Sequence, residues 1–312
     1  MTTFSTRELP WMKLGTTIDR PVDSAEAAKL GGLDFEIELA DAGYRRVSKN
    51  GETSGPWQAQ PDRRAVVRVD TGDFYGYCST DYQPVQYSEA FSFMDAINPK
   101  YVSAGTLRGG KQGFMVVKLP EHSAIDLSLA GEKDPHDLYV IIRASHDMSK
   151  GIEVAVTTLR GKCMNMLTLP SLTADAPQRW SIRHVGDPQA KLRQAQEVLA
   201  QTDRYEQAFR SIARRLIDVE VAPDEVPLLM QRVLPDKPMR DDKQIPAIRE
   251  VFESSPTVGF TGTGWGLVNA VSEYFEWSRT GGLRTDESKF RDNLDGATHK
   301  MVARTAQLLL RR

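Results

Sequence analysis

The sequence predicts an α+β protein: an antiparallel sheet of hairpins packed by a long helix, with a helical C-terminal part. Three observations carry this. Leu138–Ile142 is an unbroken apolar run, as expected of a strand covered on both faces. Ile152, Val154 and Val156 then alternate with Glu153, Ala155 and Thr157, the period of a half-buried strand, and the polar SHDMSKG between the two closes a hairpin at Gly151. From Pro188 to about Val219, Leu192, Ala195, Leu199, Tyr205, Phe209, Ile212 and Leu216 recur at spacings of three and four, the buried face of a long helix.

The remaining elements follow in chain order. Asp23 or Ser24 caps a short helix, AEAAKL, ended by Gly31 and Gly32. Leu33–Leu39 alternates without error and reads as a strand with one wet, acidic face. Asn50–Arg63 is rich in Gly, Pro, Ser and Gln and reads as a loop. Ala65–Val69 and Phe74–Ser79 form a hairpin around Asp70–Asp73. Ser88 caps a helix with Ala90, Met94 and Ile97 on one face, and Tyr101–Leu107 and Phe114–Leu119 make another hairpin around RGGKQG.

Residues 1–217 are therefore expected as an α+β core domain. The stretch 218–255 carries Pro223, Pro227, Pro235, Pro238 and Pro246, leans acidic, and reads as a linker or loosely attached arm. Residues 256–312 read as a helical C-terminal part: one helix over Trp265–Trp277, a second over Asp286–Leu310 with Phe290, Leu294, Ala297, Met301 and Leu308 buried.

Composition bounds the function. A chain of 312 residues with 40% hydrophobic and 26% charged residues has the material for a sizeable core. A net charge of −2 argues against a globally basic DNA-coating protein but leaves room for a local basic groove. The two cysteines, Cys78 and Cys163, lie too far apart for a metal-type pair and fit a reducing compartment. There is no signal-like N-terminus and no apolar run long enough to span a bilayer, so a cytoplasmic protein without membrane attachment is expected.

Few motifs point to catalysis. The five histidines show no H-x-x-x-H or H-E-x-x-H spacing, so no metal site is expected. His146 adjoins Asp147, but neighbouring side chains in a strand or tight loop diverge. Cys163 follows Arg160 and Lys162, which would lower its pKa; soft core packing with Met164, Met166 and Leu167 explains it as well. RGGKQG lacks the spacing of a nucleotide loop and suffices as a hairpin turn. TGTGWG at Thr261–Gly266 opens a helix, and a cap with close backbone packing explains its glycines. No cofactor is implied.

The basic residues give the better lead. Arg108 and Lys111 share a hairpin tip, Arg143 and Lys150 bracket the central loop, and Arg160, Lys162, Arg179 and Arg183 follow it. Tyr75 and Tyr77 lie on a neighbouring strand. Cations along a backbone, with aromatic rings offering stacking faces, are how single strands are held without base readout. Arg193, Arg204 and Arg215 form a further stripe, for which a solvated helix face balanced by Glu197, Asp203 and Glu206 is the bland alternative.

Several blocks also carry a resemblance. WMKLGTT (Trp11–Thr17), GLDFEIE (Gly32–Glu38), Val66–Asp95, Ser103–Pro120, SHDMSKGIEVAVTTLRGKCMNML (Ser145–Leu167), IRH (Ile182–His184) and GTGWGLVNAVSEY (Gly262–Tyr274) resemble the phage/plasmid-like family built on a domain of unknown function. That implies an accessory protein of a phage or plasmid, working in the bacterial host cytoplasm, with no catalytic residues to carry over. The layout is also similar, as architecture only, to Rad52-like phage single-strand annealing proteins.

Three functions are therefore weighed. The first is an oligomeric protein that binds single-stranded DNA in support of annealing or recombination, through Arg108, Lys111, Arg143, Lys150, Arg160, Lys162, Arg183, Tyr75 and Tyr77. The second is a non-catalytic factor that binds a host or phage protein through its helical C-terminal part. The third is a cytoplasmic hydrolase using His146, Asp147, Cys163 and His184, which requires those groups to converge.

Overall fold

The expected central hairpin seeds the larger of two sheets. The structure, a computed structural model, describes residues 2–6, 16–92, 94–95, 100–119, 125–126, 135–160, 166–167, 179–184, 186–187, 190, 193, 202–236, 240–254, 260–278 and 297–312. Strands β9 (Pro135–Ser145) and β10 (Ile152–Arg160) pair antiparallel, with Ile142 opposite Val154 and Arg143 opposite Glu153. Leu138–Ile142 is buried throughout, as an unbroken apolar run requires.

Strand β7 (Gln112–Lys118) flanks β9, then come β6 (Lys100–Leu107), β1 (Thr3–Thr6) and β2 (Thr16–Ile18). Strands β11 (Met166–Leu167) and β12 (Arg179–Ile182) cover the other side of β10, and β8 (Ile125–Asp126) pairs with β9. Only the β1–β2 pairing is parallel among the described strands. Helix α1 (Ser24–Leu30) packs on β6; Asp23 caps it by accepting the Glu26 N–H at 2.8 Å. Helix α2 spans Tyr87–Ser92, so Ser88 lies inside it rather than capping it. The Gln86 N–H is instead taken by the Glu89 carboxylate, 3.0 Å away. Ile97 lies outside the described residues.

The second sheet is β3 (Ile37–Val47), β4 (Thr53–Arg68) and β5 (Phe74–Ser79), in that order. Leu33 and Phe35 are buried with Asp34 and Glu36 exposed, as the alternation predicts, but pairing begins only at Ile37. The loop expected over Asn50–Arg63 is largely strand. Thr53–Arg63 is exposed residue after residue, so β4 leaves the protein body as one side of a hairpin arm. Irregular pairing around Gly55–Pro56 and Pro61 lets a Gly/Pro-rich stretch stay in a strand: the extra residues are simply left unpaired.

The helical part differs most from expectation. Helix α3 covers Thr202–Ile217; most of the stretch from Pro188 to Gln201, including Leu192, Ala195 and Leu199, lies outside the described residues. The supposed linker forms α4 (Val226–Val233) and α5 (Ile245–Ser254). Val226, Leu229, Met230 and Val233 of α4 and Ile245, Ile248 and Phe252 of α5 are buried in the common core. At roughly 1.5–3 kcal/mol for each large side chain, that burial fastens the segment firmly. Two of the five prolines, Pro227 and Pro246, stand in the first turns of α4 and α5, where a proline is tolerated; Pro235 follows α4, and Pro238 lies outside the described residues.

Helix α6 (Gly264–Glu273) continues into a wider turn over Tyr274–Ser278, and α7 covers Ala297–Leu309. The buried stripe of α7 is Met301, Val302, Thr305, Ala306 and Leu309; Leu308 is only partly buried, and Phe290 and Leu294 lie outside the described residues. The ring of His136 at the start of β9 sits 5.4 Å from Phe209 of α3 and 5.6 Å from Trp265 of α6, joining helices to sheet. Among the described residues no helix is long and apolar enough to cross a membrane.

Candidate nucleic-acid interface

Two turns at one end of the large sheet hold Arg108, Lys111 and Lys150, with Arg143 near the end of β9 beside them. Arg108, Gly109 and Gly110 form a left-handed bend between β6 and β7, with φ of 53°, 68° and 90°. Met148, in the turn between β9 and β10, has φ 60°; these are the two non-glycine residues with positive φ among the described ones. Asp147 ties the turns together. Its carboxylate accepts from Arg108 at 3.2 Å, Gln112 Nε2 at 3.2 Å, Ser145 Oγ at 3.0 Å and the Ser149 N–H at 3.0 Å, and also from the Ser149 hydroxyl. Burial alone would raise its pKa; the hydrogen bonds from Ser149, Ser145 and Arg108 outweigh that and hold it below the usual carboxylate value.

The charges at this rim are largely spent inside the protein. Arg143 pairs with Glu153, both side chains mostly buried, and Lys150 approaches the same carboxylate at 3.6 Å. Lys111 donates to the Tyr75 carbonyl at 3.4 Å. Arg183, just beyond β12, is exposed and without an ion-pair partner among the described residues. Arg160 stands opposite His136 at the far end of β10, about 25 Å from the rim at a strand rise of about 3.3 Å per residue. Lys162 and Cys163 lie outside the described residues, as do the side chains of Arg160, Arg179 and Arg204.

Tyr75 and Tyr77 part company. Val66 of β4 faces Gly76 while Val67 faces Phe74, so Tyr75 is an extra residue bulged out of the ladder. The bulge turns Tyr75 into the core, 3% exposed, and leaves Tyr77 beside Phe74 on the wet face with ring centres 4.8 Å apart. Tyr75 therefore cannot present a stacking face, and Phe74 does so in its place.

The hydrolase set converges only in part. The His146 and His184 rings lie 5.7 Å apart, and Tyr82 shares a hydrogen bond of 3.0 Å with His146 Nδ1 while its ring sits 5.1 Å from His184. Both imidazoles are buried, and burial lowers the His146 pKa to about 3 and that of His184 in the same direction. Asp147 points away from them, into the turn. As described, neutral imidazoles sealed from solvent beside a committed carboxylate offer a substrate no approach.

The small sheet has the opposite character. The exposed aromatic side chains among the described residues are Tyr44 (49%), Trp57 (50%), Phe74 (47%) and Tyr77 (53%), all on β3, β4 and β5. On the wet face, Phe74 and Tyr77 stand over Val67 and Ala65, with Glu38 and Ala40 beyond them on β3. Out on the arm the Trp57 indole lies over Gly43, where any side chain would collide with it. Residues 44–64 carry Arg45, Arg46, Lys49, Arg63 and Arg64 against Glu52 and Asp62. Arg63 has a loose contact of 3.9 Å with Asp62, and Arg64 donates to the carbonyls of Pro61 and Arg63. Arg45, Arg46 and Lys49 have no ion pair among the described residues.

Sequence reasoning missed this surface because a Gly/Pro-rich stretch reads as a loop. The signal that could have found it was the pairing of Tyr44-Arg-Arg with Trp57 across a turn at Asn50-Gly51. The TGTGWG segment is the helix cap expected: Thr263 Oγ1 accepts the Gly266 N–H at 3.0 Å, and a side chain at Gly266 would strike the Phe260 carbonyl.

No curated protein and no solved structure gives a significant match to this chain. A family model does match, over residues 75–305, a span that holds the rim, helices α2–α6 and most of α7 but begins inside β5, after Tyr44 and Trp57. With most of its length in that match, the chain belongs to the family described as domain of unknown function DUF932.

Proposed function

We propose that the protein is a phage- or plasmid-type accessory factor that binds single-stranded DNA along its three-stranded sheet and the arm that extends from it. The observation that carries this reading is the coincidence of exposed rings and cations that, among the described residues, have no ion pair or, for Arg63, only a loose one with Asp62. Tyr44, Trp57, Phe74 and Tyr77 offer four faces on one sheet, beside Arg45, Arg46, Arg63 and Arg64. Unstacked bases cover exposed rings, and arginines take the phosphates between them; stacking contributes about 1–3 kcal/mol per base. A duplex, with its bases stacked inside, would leave the rings uncovered.

At the rim of the large sheet Arg183 is exposed, while Arg108 is held by Asp147. Among the earlier candidates, Arg143 and Lys150 serve the fold through Glu153. The test is a titration of full-length protein against labelled single- and double-stranded oligonucleotides over a series of salt concentrations. Single strands should bind more tightly. With four arginines engaged, the slope of log affinity against log salt should be about −3, from about −0.7 per phosphate. No binding at low salt, or equal binding of duplex, refutes the proposal.

A further inference from the structure

His146 and His184 do something for the fold that neither their spacing nor the interface explains. Among the described residues, His146 Nε2 and both ring nitrogens of His184 are buried without a hydrogen-bond partner. The two rings face each other at 5.7 Å, and each also touches an aromatic ring: His146 meets Tyr87 at 4.7 Å and His184 meets Tyr82 at 5.1 Å. The pair joins four separate pieces of chain. His146 lies in the β9–β10 turn and His184 just after β12; Tyr82 follows β5, and Tyr87 opens α2.

Backbone bonds run through the same point: the Gln83 N–H donates to the His184 carbonyl at 2.8 Å, and the His146 N–H to the Lys111 carbonyl at 2.9 Å.

We propose that the His146–His184 pair is a proton-operated latch, which in its neutral state fastens the exit of β5 and the start of α2 to the rim of the large sheet and on protonation releases them. Two imidazolium rings this close would repel each other in a site from which water is excluded. The groups around them compensate little: the Gln83 backbone favours the charged form of His184, but burial outweighs it. From β5 and the loop after it come Cys78, Tyr75 and Tyr82, and from α2 comes Tyr87; all four are neutral acids, and burial raises their pKa further. From β4 comes Arg68, engaged with Asp70, and from the β6–β7 turn come Arg108 and Lys111, of the wrong sign. Asp147 is the one nearby carboxylate acting on His146, and Arg108, Gln112, Ser145 and Ser149 already occupy it. Arg183 adjoins His184 in the chain and adds a further positive charge. The latch stands whether or not the small sheet binds DNA.

Hydrogen–deuterium exchange of the full chain between pH 7.5 and 4.5, corrected for intrinsic rates, tests it. Peptides covering residues 79–92, 145–152 and 180–187 should lose protection at least tenfold on the acid side, while β7 in the sheet centre keeps its protection. His146→Gln with His184→Gln should abolish that pH dependence. Should the double variant not fold, imidazole resonances of the wild-type protein serve instead: both should stay neutral below pH 5 and change together with the loss of protection. Independent titration near pH 6.5 with protection intact overturns the latch. So does a stoichiometric rise in Tm with Zn²⁺ that His184→Gln removes, since the unpartnered nitrogens would then be metal ligands.

Discussion

The rim of the large sheet and the face of the small sheet carry similar residues and use them in opposite ways. At the rim, Arg108 and Arg143 meet Asp147 and Glu153, and the aromatic rings of Tyr75, Tyr82 and Tyr87 are buried. On the small sheet, Arg45 and Arg46 have no carboxylate partner among the described residues, and Trp57 and Tyr77 face water. A cation next to a local carboxylate has already lost most of the field a phosphate would feel, and a buried ring has no face left to stack. Counting arginines and tyrosines along the chain therefore says little; their partners decide what they do.

The comparison breaks most decisively at the aromatic residues. Trp57→Ala with Tyr77→Ala should reduce single-strand affinity by about 2–6 kcal/mol, with only a small change in Tm, because both residues are exposed and outside the core. Arg108→Gln, measured by the same titration, should leave affinity within about threefold. A reversed result would move the interface back to the rim.

Acid should act on the rim next. His146 is held neutral in the fold, with a pKa of about 3 against about 6.5 in the unfolded chain. Below pH 6.5 the unfolded chain takes up protons that the fold refuses, so stability is full above that value and falls as the pH drops toward 3. The loss approaches 1.4 kcal/mol per pH unit, or about 2 kcal/mol at pH 5 from this residue alone, and His184 adds to it in the same direction. Denaturant melts at pH 7 and pH 5 measure it, and His146→Gln should shrink the difference.

A smaller effect separates structural from binding cations. Arg143→Met leaves Glu153 mostly buried with the looser Lys150 contact, and should cost about 1–2 kcal/mol of stability. DNA affinity at pH 7 should not change. The smallest effect belongs to Arg45→Gln with Arg46→Gln: Tm should stay constant, and the salt slope should become shallower by about 1.4. If the slope stays put, those arginines face no phosphate.

The family match begins at Tyr75, so the rim, His146, His184 and helices α2–α6 lie within the matched stretch, and the arm lies before it.

Much of the fold was legible. The strand read from Ile152–Thr157, the apolar run Leu138–Ile142, the Asp23 cap and the Thr263 cap are local patterns, and each formed as read, except that Thr157 is buried. Prolines misled twice, suggesting a linker over 218–255 and a loop over 50–63. A proline is as well suited to the first turn of a helix or to an exposed, bulged strand as to a linker, and only its neighbours in space distinguish these.

The site was legible in its residue types and not in its geometry. Arg143 and Glu153 are ten positions apart, and that they face each other follows from the β9–β10 register. The separation of Tyr75 from Tyr77 depends on one extra residue opposite Val66 and Val67. Nothing in the spacing of His146 and His184 announces that their rings meet. The sequence by itself determined which segments become strands and helices, because periodicity and caps act over a few residues. The tertiary structure alone decided which charges remain free, because neutralisation and burial depend on strands and turns that only the completed sheets bring within a few ångströms.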